Sequence, residues 1–442
     1  MILGTISILV VVITTVLVAA GTIKGKCYPY CIGAMALGLV YSTTMLGTYV
    51  VGSDIQGELF ASREALSKGW NFLESSVPSI VPNIIAPELS KLIHLNIIWI
   101  YKAFLPLALV GVPIVLYSAF KKQIGEKKAF FAALFFIIMP IYSLEIAQIT
   151  KSMFAELFFA LIILVMVSKW HWCYKSPAII VCVALTIVCH YTIGLAVLCY
   201  LFGIFIVRLA TNWTKWKLFA LKQVPIIIIL IVFVAGTGCF YTFYHYASGG
   251  GINNTVGQIA GSYKAKAISD GEQIKKYFGN IINKGRTIEG VNIKTKEVEP
   301  KSPEIGTTKG VAQEKELDST LVSSTKNQSY LYNQGHLVKT GIGLDFTEQP
   351  VEGKLFRIIQ YITQLLMIIG SISLLLRPQG YKFTAEFVAG IGCSLVLLLC
   401  CIFLPGFSSL INMTRFYQIS LFFLAPMLVV GCETLVNIRI KR

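Results

Sequence analysis

Long apolar stretches constrain the fold of this chain more than any other feature. Eleven of them are long enough to cross, fully or partly, a ~30 Å hydrocarbon core at about 1.5 Å per helical residue. Only 14% of the 442 residues are charged and 55% are hydrophobic, which is too little charge for the surface of a soluble protein. The sequence predicts an all-α polytopic transmembrane helical bundle. The predicted spans are 2–22, 28–51, 93–119, 129–144, 152–168, 177–189, 192–207, 223–244, 356–376, 384–404 and 417–436.

Basic residues fall in alternate short loops, and this pattern predicts the orientation of the bundle. One set of loops holds 17 of the 38 Lys and Arg residues. Because short loops rich in Lys and Arg stay in the cytoplasm, we expect the N-terminus outside and the C-terminus inside a multi-pass protein of the cell membrane. The basic loops lie near residues 24–26, 121–128, 169–175, 208–222, 377–382 and 439–442.

Two long segments are predicted on the outer side, and they divide the chain. Residues 1–244 form a membrane domain with eight spans and a first outer loop at 52–92, and residues 356–442 form one with three spans. Between them, residues 245–355 form a large, partly flexible extracytoplasmic loop. This loop carries 14 basic and 12 acidic residues. Such a balance argues against nucleic acid as a partner, because nucleic-acid binding requires a patch of one sign.

The first outer loop is predicted to contain a short amphipathic helix, followed by short segments that lie along the membrane surface. Ser53 and Gln56 have the spacing of a capping box at the start of this helix. Three prolines further along the chain exclude a single straight helix that continues to the third span. These prolines are Pro78, Pro82 and Pro87.

Two hairpins are too tight to cross the bilayer fully. Lys175 and Arg208 are both predicted at the inner surface, yet only 32 residues separate them. About sixteen residues each way reach ~24 Å, short of ~30 Å, so the tip at 189–192 should lie below the outer surface. The hairpin at 129–168 is similarly tight. Since polar groups in lipid are costly, we expect an outward-facing recess with polar residues at its floor.

Asp54 is the candidate catalytic residue, because it directly follows the second span at the predicted outer interface. Its carboxylate is placed to take a proton from an acceptor hydroxyl. The alternative is a structural role, since an acidic residue in the first turn stabilises a helix. Glu58 lies one turn further on the same face and is either a group that helps to bind the acceptor substrate or a metal, or a solvated charge.

Polar residues near the two hairpin tips are candidate substrate-binding groups. Glu145 and Lys151 bracket one short turn and can contact a substrate or pair with each other. Glu156 is about one turn inside the fifth span, where an ionisable residue favours a functional role, with Lys151 as one candidate partner. His190 is expected to bind substrate, handle a proton or form a structural hydrogen bond. Tyr191 can stack on a sugar or anchor the chain at the interface.

Lys102 and Arg415 are candidate cations for an anionic group. Lys102 lies in the outer part of the third span, where snorkelling is the alternative. Arg415 is at the start of the last span, and a cation does not stabilise a helix N-terminus. An anion bound there would meet the guanidinium and free backbone N–H groups, whereas a lipid headgroup contact is the alternative. The sequence shows no metal site, and a divalent metal is compatible with it but not required.

Several short passages, taken together, resemble a known class of enzyme. They are GSDIQGEL, WIYKAFLPLALVGVPIVLYS, KSMFAELFFALI, CHYTIG, GKLFRIIQYITQLLMIIG and TRFYQISLFFLAP. In their order and placement the chain resembles the GT-C superfamily of integral-membrane glycosyltransferases. More closely, it looks like a family of uncharacterised, predicted archaeal membrane proteins of that type. The likeness covers nearly all spans but not residues 250–340.

The resemblance implies an inverting transfer of a sugar from a polyprenyl (in archaea, dolichyl) phosphate donor to a glycan or protein acceptor. Asp54 takes the place of the catalytic acidic residue, while Lys102, His190 and Arg415 fall where they would meet the donor. Ile55 follows Asp54 where many relatives have a second acidic residue, so metal dependence is not carried over. Membrane lipid is the other expected partner, and the active site is expected on the extracytoplasmic side.

Other functions remain compatible with the sequence. A lipid-linked polysaccharide polymerase or ligase has about this many spans and a large late outer loop. A transporter or flippase for lipid-linked sugars would show inverted repeats or matching broken spans, which the sequence lacks. A partner subunit of a surface-glycan assembly, with a degenerate site, is the non-enzymatic alternative.

Overall fold

The computed structural model describes residues 2–70, 77–213, 224–247, 346, 350–376, 381, 383–403 and 413–440. Most of these residues are helical and none of them forms a β-strand, which confirms the all-α class. The helices are α1 (Ile2–Ala19), α2 (Tyr28–Thr44), α3 (Ser53–Lys68), α4 (Ala86–Leu92), α5 (Ile97–Ile124), α6 (Glu126–Ile138), α7 (Thr150–Met166), α8 (Trp172–Cys189), α9 (Tyr191–Trp213), α10 (Ile226–Ala247), α11 (Val351–Leu376), α12 (Ala385–Phe403) and α13 (Met413–Ile440).

Seven of these helices, α5 and α8 to α13, are long and apolar enough to cross a membrane. An eighth span results if α6 is counted together with the helical turns at Ile141–Gln148, which bend from it by 52°. The remaining predicted stretches contain α1, α2 and α7, which are apolar helices of 17 or 18 residues. The chain is therefore a multi-pass membrane protein. Most of the predicted loop at 245–355 lies outside the described residues.

The first outer loop contains the predicted helix and the predicted short segments. Helix α3 begins with Gly52 as its N-cap, and the Gln56 side-chain amide donates to the Val50 carbonyl oxygen at 2.5 Å. The capping box predicted for Ser53 and Gln56 is therefore wrong. Further on, a π-helical turn at Val81–Ile85 and then α4 each have a proline as their second residue. A proline is tolerated in the first turn of a helix, where its missing N–H would have no partner within the helix.

Gly52 fixes how α3 leaves the membrane region. Its φ of +126° favours glycine. A Cβ atom there would lie 2.7 Å from the Gln148 side-chain oxygen. The glycine thus allows the start of α3 to pack closely against the turn that precedes α7.

The hairpin of α8 and α9 turns over a single residue, as the predicted tight tip requires. His190 is extended, with φ −151° and ψ 119°, and α9 begins at the next residue. The first outer loop packs on this tip, because the Ser79 hydroxyl donates to the Cys189 carbonyl oxygen at 2.6 Å. The tip is consequently covered by protein.

Helix α13 is held by a close approach to α11. A Cβ added to Gly370 would lie 1.9 Å from the Met427 carbonyl oxygen, and one added to Gly431 would lie 2.0 Å from that of Leu366. Small residues allow such contact between helix backbones in membranes. This contact fixes the position of α13. Arg415 lies in the first turn of α13, so its position is fixed as well.

Candidate functional site

Two residues from distant parts of the chain form an ion pair where α3 and α13 begin. The Arg415 Nη2 atom donates to the Asp54 Oδ2 atom at 2.9 Å. The Asp54 side chain is 42% exposed and that of Arg415 is 21% exposed. We call Asp54 and Arg415 the rim pair, because they lie at the partly exposed edge of a larger polar region.

Glu58 is fully buried, so its interpretation as a solvated charge is wrong. Its Oε2 atom accepts from the Thr150 backbone N–H at 2.9 Å and also from the Thr150 hydroxyl. Its Oε1 atom is 3.7 Å from the Lys151 Nζ atom. Burial raises the pKa of the Glu58 carboxyl, while Lys151 and Thr150 lower it. These contacts fix α3 to the start of α7.

Glu145 and Lys151 do not pair with each other, so that alternative is wrong. The Glu145 Oε2 atom accepts from the Thr414 hydroxyl at 2.6 Å, whereas Lys151 lies beside Glu58. Glu145 therefore holds the start of α13 next to Arg415.

Glu156 lies below the rim pair and is 1% exposed. It interacts electrostatically with Arg415, whereas the candidate partner Lys151 lies beside Glu58 instead. Within the part of the chain that the structure describes, the Glu156 Oε2 atom and the Arg415 Nε atom have no hydrogen-bond partner. A carboxyl oxygen and a guanidinium N–H are thus buried in the same region, although neither has a hydrogen-bond partner among the described residues.

His190 is 1% exposed and faces the same region. Its Nδ1 atom accepts from the Thr192 backbone N–H at 3.2 Å. Burial, with Lys151 and Arg415 nearby, holds the pKa of His190 well below its usual value. The neutral ring therefore carries its hydrogen on Nε2, and this atom has no partner among the described residues. Tyr191 stacks on the imidazole with ring centroids 5.2 Å apart and is 45% exposed.

Lys102 has a different environment from the other candidates. It is 4% exposed and lies in a π-helical turn of α5. Its Nζ atom donates to the Gly47 carbonyl oxygen and lies 5.9 Å from the centre of the Trp99 ring. These contacts fix the turn after α2, so Lys102 supports the chain that leads to Asp54.

The sequence analysis missed three residues of the polar region. Gln418 is fully buried one turn after Arg415, and both its amide atoms lack partners in the described ranges. Ser152 lies one turn before Glu156, and Thr192 follows the hairpin tip; their hydroxyls are likewise buried and unpaired there. Gln418 and Ser152 lie at helical spacing from Arg415 and Glu156, but an uncharged polar side chain in an apolar helix gives little signal until its neighbours are known. We call the buried set the floor cluster: Ser152, Glu156, His190, Thr192 and Gln418.

The floor cluster is covered in this structure. Its side chains belong to residues that are 0–1% exposed, so the recess expected from the sequence is closed at its floor. Among the described residues, no group of three or more His, Cys, Asp or Glu side chains is arranged to hold a metal ion. The region therefore offers cations, hydrogen-bond donors and carboxylates rather than a metal-ligand set.

Comparison with known proteins adds one finding. No curated protein and no solved structure matches the chain. Residues 344–442 match the model of a family described as "Predicted membrane protein (DUF2206)". The matched part contains α11 to α13, and with them Arg415 and Gln418. Over this part, the chain is similar to a family of membrane proteins.

Proposed function

We propose that this chain is a membrane glycosyltransferase that moves a sugar from a polyprenyl- or dolichyl-phosphate donor to a glycan or protein acceptor. The proposal includes eleven spans with the N-terminus outside, a large extracytoplasmic loop at 245–355 and a site on the outer face of the cell membrane. The observation that carries it is the partly exposed Asp54–Arg415 pair above buried polar groups in an apolar bundle.

The chemistry of this region suits an anionic group attached to an apolar chain. The guanidinium of Arg415 presents a fork of donors that matches phosphate oxygens. It lies in the first turn of α13, where free backbone N–H groups also favour an anion. The surrounding helices expose apolar side chains, which suits the polyprenyl chain of the donor.

The rim pair links donor binding to activation of the base. The donor phosphate takes over the Arg415 guanidinium and releases the Asp54 carboxylate. Asp54 then accepts the proton of the acceptor hydroxyl as its oxygen attacks the anomeric carbon with inversion. The bond between that carbon and the phosphate oxygen breaks, and Arg415 stabilises the charge on the departing polyprenyl phosphate. Lys151, which neighbours His190 and Glu58, supplies a second positive charge.

The test uses purified protein in liposomes with a radiolabelled polyprenyl-phosphate sugar. Released polyprenyl phosphate and transferred sugar are both measured. We expect Asp54→Asn to lower transfer by about 10²-fold or more, because the general base is lost. Glu64→Gln is the matched control, since Glu64 is a carboxylate on the same helix that pairs with Lys68. Wild-type transfer by folded Asp54→Asn protein would refute the assignment of the base.

The same assay separates the alternative functions. Movement of the labelled lipid across the bilayer with the sugar bond intact would indicate a flippase. Products in which one lipid-linked glycan is joined to another would indicate a polymerase or ligase. Neither result agrees with release of polyprenyl phosphate together with a single transferred sugar.

A further inference from the structure

The floor cluster has more buried polar atoms than it has hydrogen bonds to satisfy them. The Glu156 Oε2 atom, the His190 Nε2 atom and both amide atoms of Gln418 lack partners in the described part of the protein. Buried polar atoms in native proteins are nearly always paired, and leaving them unpaired is costly in a low dielectric. Their concentration between α7, the His190 tip and α13 points to a ligand.

The donors and acceptors of the cluster define what that ligand must offer. His190 Nε2 donates, because Nδ1 already accepts from Thr192. The Gln418 amide both donates and accepts, and Glu156 provides a carboxyl oxygen. Arg415 contributes its unpaired Nε–H from above. A ligand here must therefore accept and donate hydrogen bonds at several neighbouring points, as hydroxyl groups do.

The charges argue against an anion at this depth. The positive charge of Arg415 faces the Asp54 carboxylate at the rim. Lys151, the other cation near His190, lies beside the buried Glu58 carboxyl, and His190 is neutral because of its burial. A phosphate inserted at this depth would have to displace Glu58 from Lys151. An uncharged group with several hydroxyls requires no such exchange.

We propose that the floor cluster binds the hydroxyl groups of an uncharged sugar ring, while the phosphate attached to that ring is held by Arg415 at the rim. The inference rests on the proposed function only in identifying this ring as the sugar of the donor. Glu156 and Gln418 then determine which sugar is accepted. They lie on α7 and α13, so opposite sides of the ring meet different elements.

Binding of free glycosides tests this inference without requiring transfer. The probes are methyl glycosides of glucose, galactose, mannose and N-acetylglucosamine, with saturation-transfer NMR on full-length protein in a detergent without sugar. We expect wild-type protein to bind at least one probe at millimolar concentration. Gln418→Met and Glu156→Met should each weaken that binding by about 10-fold or more, because they leave ligand hydroxyls unpaired.

Thermal unfolding separates a binding role from a merely structural one. Without ligand, Gln418→Met should raise the unfolding midpoint, because an unpaired buried amide is replaced by an apolar group of similar shape. Thr434→Val is the control on the same helix, since that hydroxyl donates to the Val430 carbonyl oxygen at 2.8 Å. It should lower the midpoint and leave glycoside binding unchanged.

Each outcome has a definite meaning. No signal from any glycoside with folded wild-type protein, or unchanged binding by Gln418→Met, overturns the inference. Glycoside binding that is lost in Gln418→Met, in a protein that transfers no sugar, supports the floor cluster and refutes the proposed function. Transfer whose sugar preference is unaffected by Gln418→Met supports the proposed function and refutes the floor cluster as its sugar site.

Discussion

The two ends of the α8–α9 hairpin bury polar groups in opposite ways. At the end opposite His190, the Arg208 guanidinium donates to Glu386 and to the Val224 carbonyl oxygen, and the Lys175 Nζ atom donates to the Met166 carbonyl oxygen at 3.1 Å. At the His190 end, the floor cluster keeps donors and acceptors without partners among the described residues.

This difference separates structural polar groups from candidate functional ones. Burying a charge is tolerated when a partner and hydrogen bonds accompany it, and the end at Arg208 meets this condition within the protein. The end at His190 does not meet this condition, although it lies in the same apolar bundle, because its buried polar atoms lack partners among the described residues. Buried polar groups without hydrogen-bond partners therefore indicate a site more clearly than a buried charge alone.

The largest effect is expected where the paired end is broken. Glu386→Leu leaves the buried Arg208 guanidinium without its carboxylate and should destabilise the protein by about 3–5 kcal/mol. The measurement is thermal or denaturant unfolding of purified protein. The double variant Arg208→Met with Glu386→Leu should recover most of this loss. Equal stability of Glu386→Leu and wild-type protein would contradict the assigned role of the pair.

The close contact of α11 with α13 is expected to tolerate no side chain. Gly431→Ala places a Cβ atom against the Leu366 carbonyl oxygen, and it should destabilise the protein by about 1–3 kcal/mol. Gly392→Ala is the matched control, because a Cβ atom there has no neighbour within 4 Å. The control should be neutral or stabilising, by up to about 1 kcal/mol. Similar losses in both variants would argue against the contact.

Burial of His190 should make a contribution to stability that depends on pH. The folded protein keeps His190 neutral, whereas the unfolded chain binds a proton near pH 6.5. The contribution of His190 to stability should therefore fall as the pH drops below that value, by about 1 kcal/mol over the next pH unit. His190→Gln should reduce this slope, while His94→Asn, at an exposed histidine with positive φ, should not. The unfolding midpoint between pH 7.5 and about 5.5 provides the measurement.

The smallest effect is expected at an exposed pair on α3. Glu64 and Lys68 lie 2.8 Å apart, with side chains 39% and 71% exposed. Glu64→Gln should change stability by no more than about 0.5 kcal/mol, because solvent screens the charges. A much larger loss in unfolding experiments would show that exposure is a poor guide to the cost of breaking a pair in this protein.

Much of the fold could be predicted from the sequence. Each of the eleven apolar stretches contains a helix, and the prolines of the first outer loop do break it into short pieces. The tight tip at His190 followed from counting residues between two cations. Span count and orientation stay predictions, since seven helices meet the length and hydropathy expected of spans, or eight with the bent one.

The candidate site could be predicted only in part. Chemical type and position in or beside a predicted span singled out Asp54, Glu156, His190 and Arg415. The partners could not be found this way, because the pairing of Asp54 with Arg415 and of Glu58 with Lys151 depends on how helices pack. Gln418 was missed because an amide inside an apolar helix gives little signal until its neighbours are known.

The sequence by itself determined that this is a helical membrane protein, because the hydrophobic effect and the cost of unpaired backbone groups in lipid act on local apolar runs. It also determined where its rare ionisable residues lie along those runs. Only the tertiary structure decided which of them are paired. Hydrogen bonds act over a few ångströms between residues that can be hundreds of positions apart, so packing separates the satisfied end at Arg208 from the unsatisfied floor cluster.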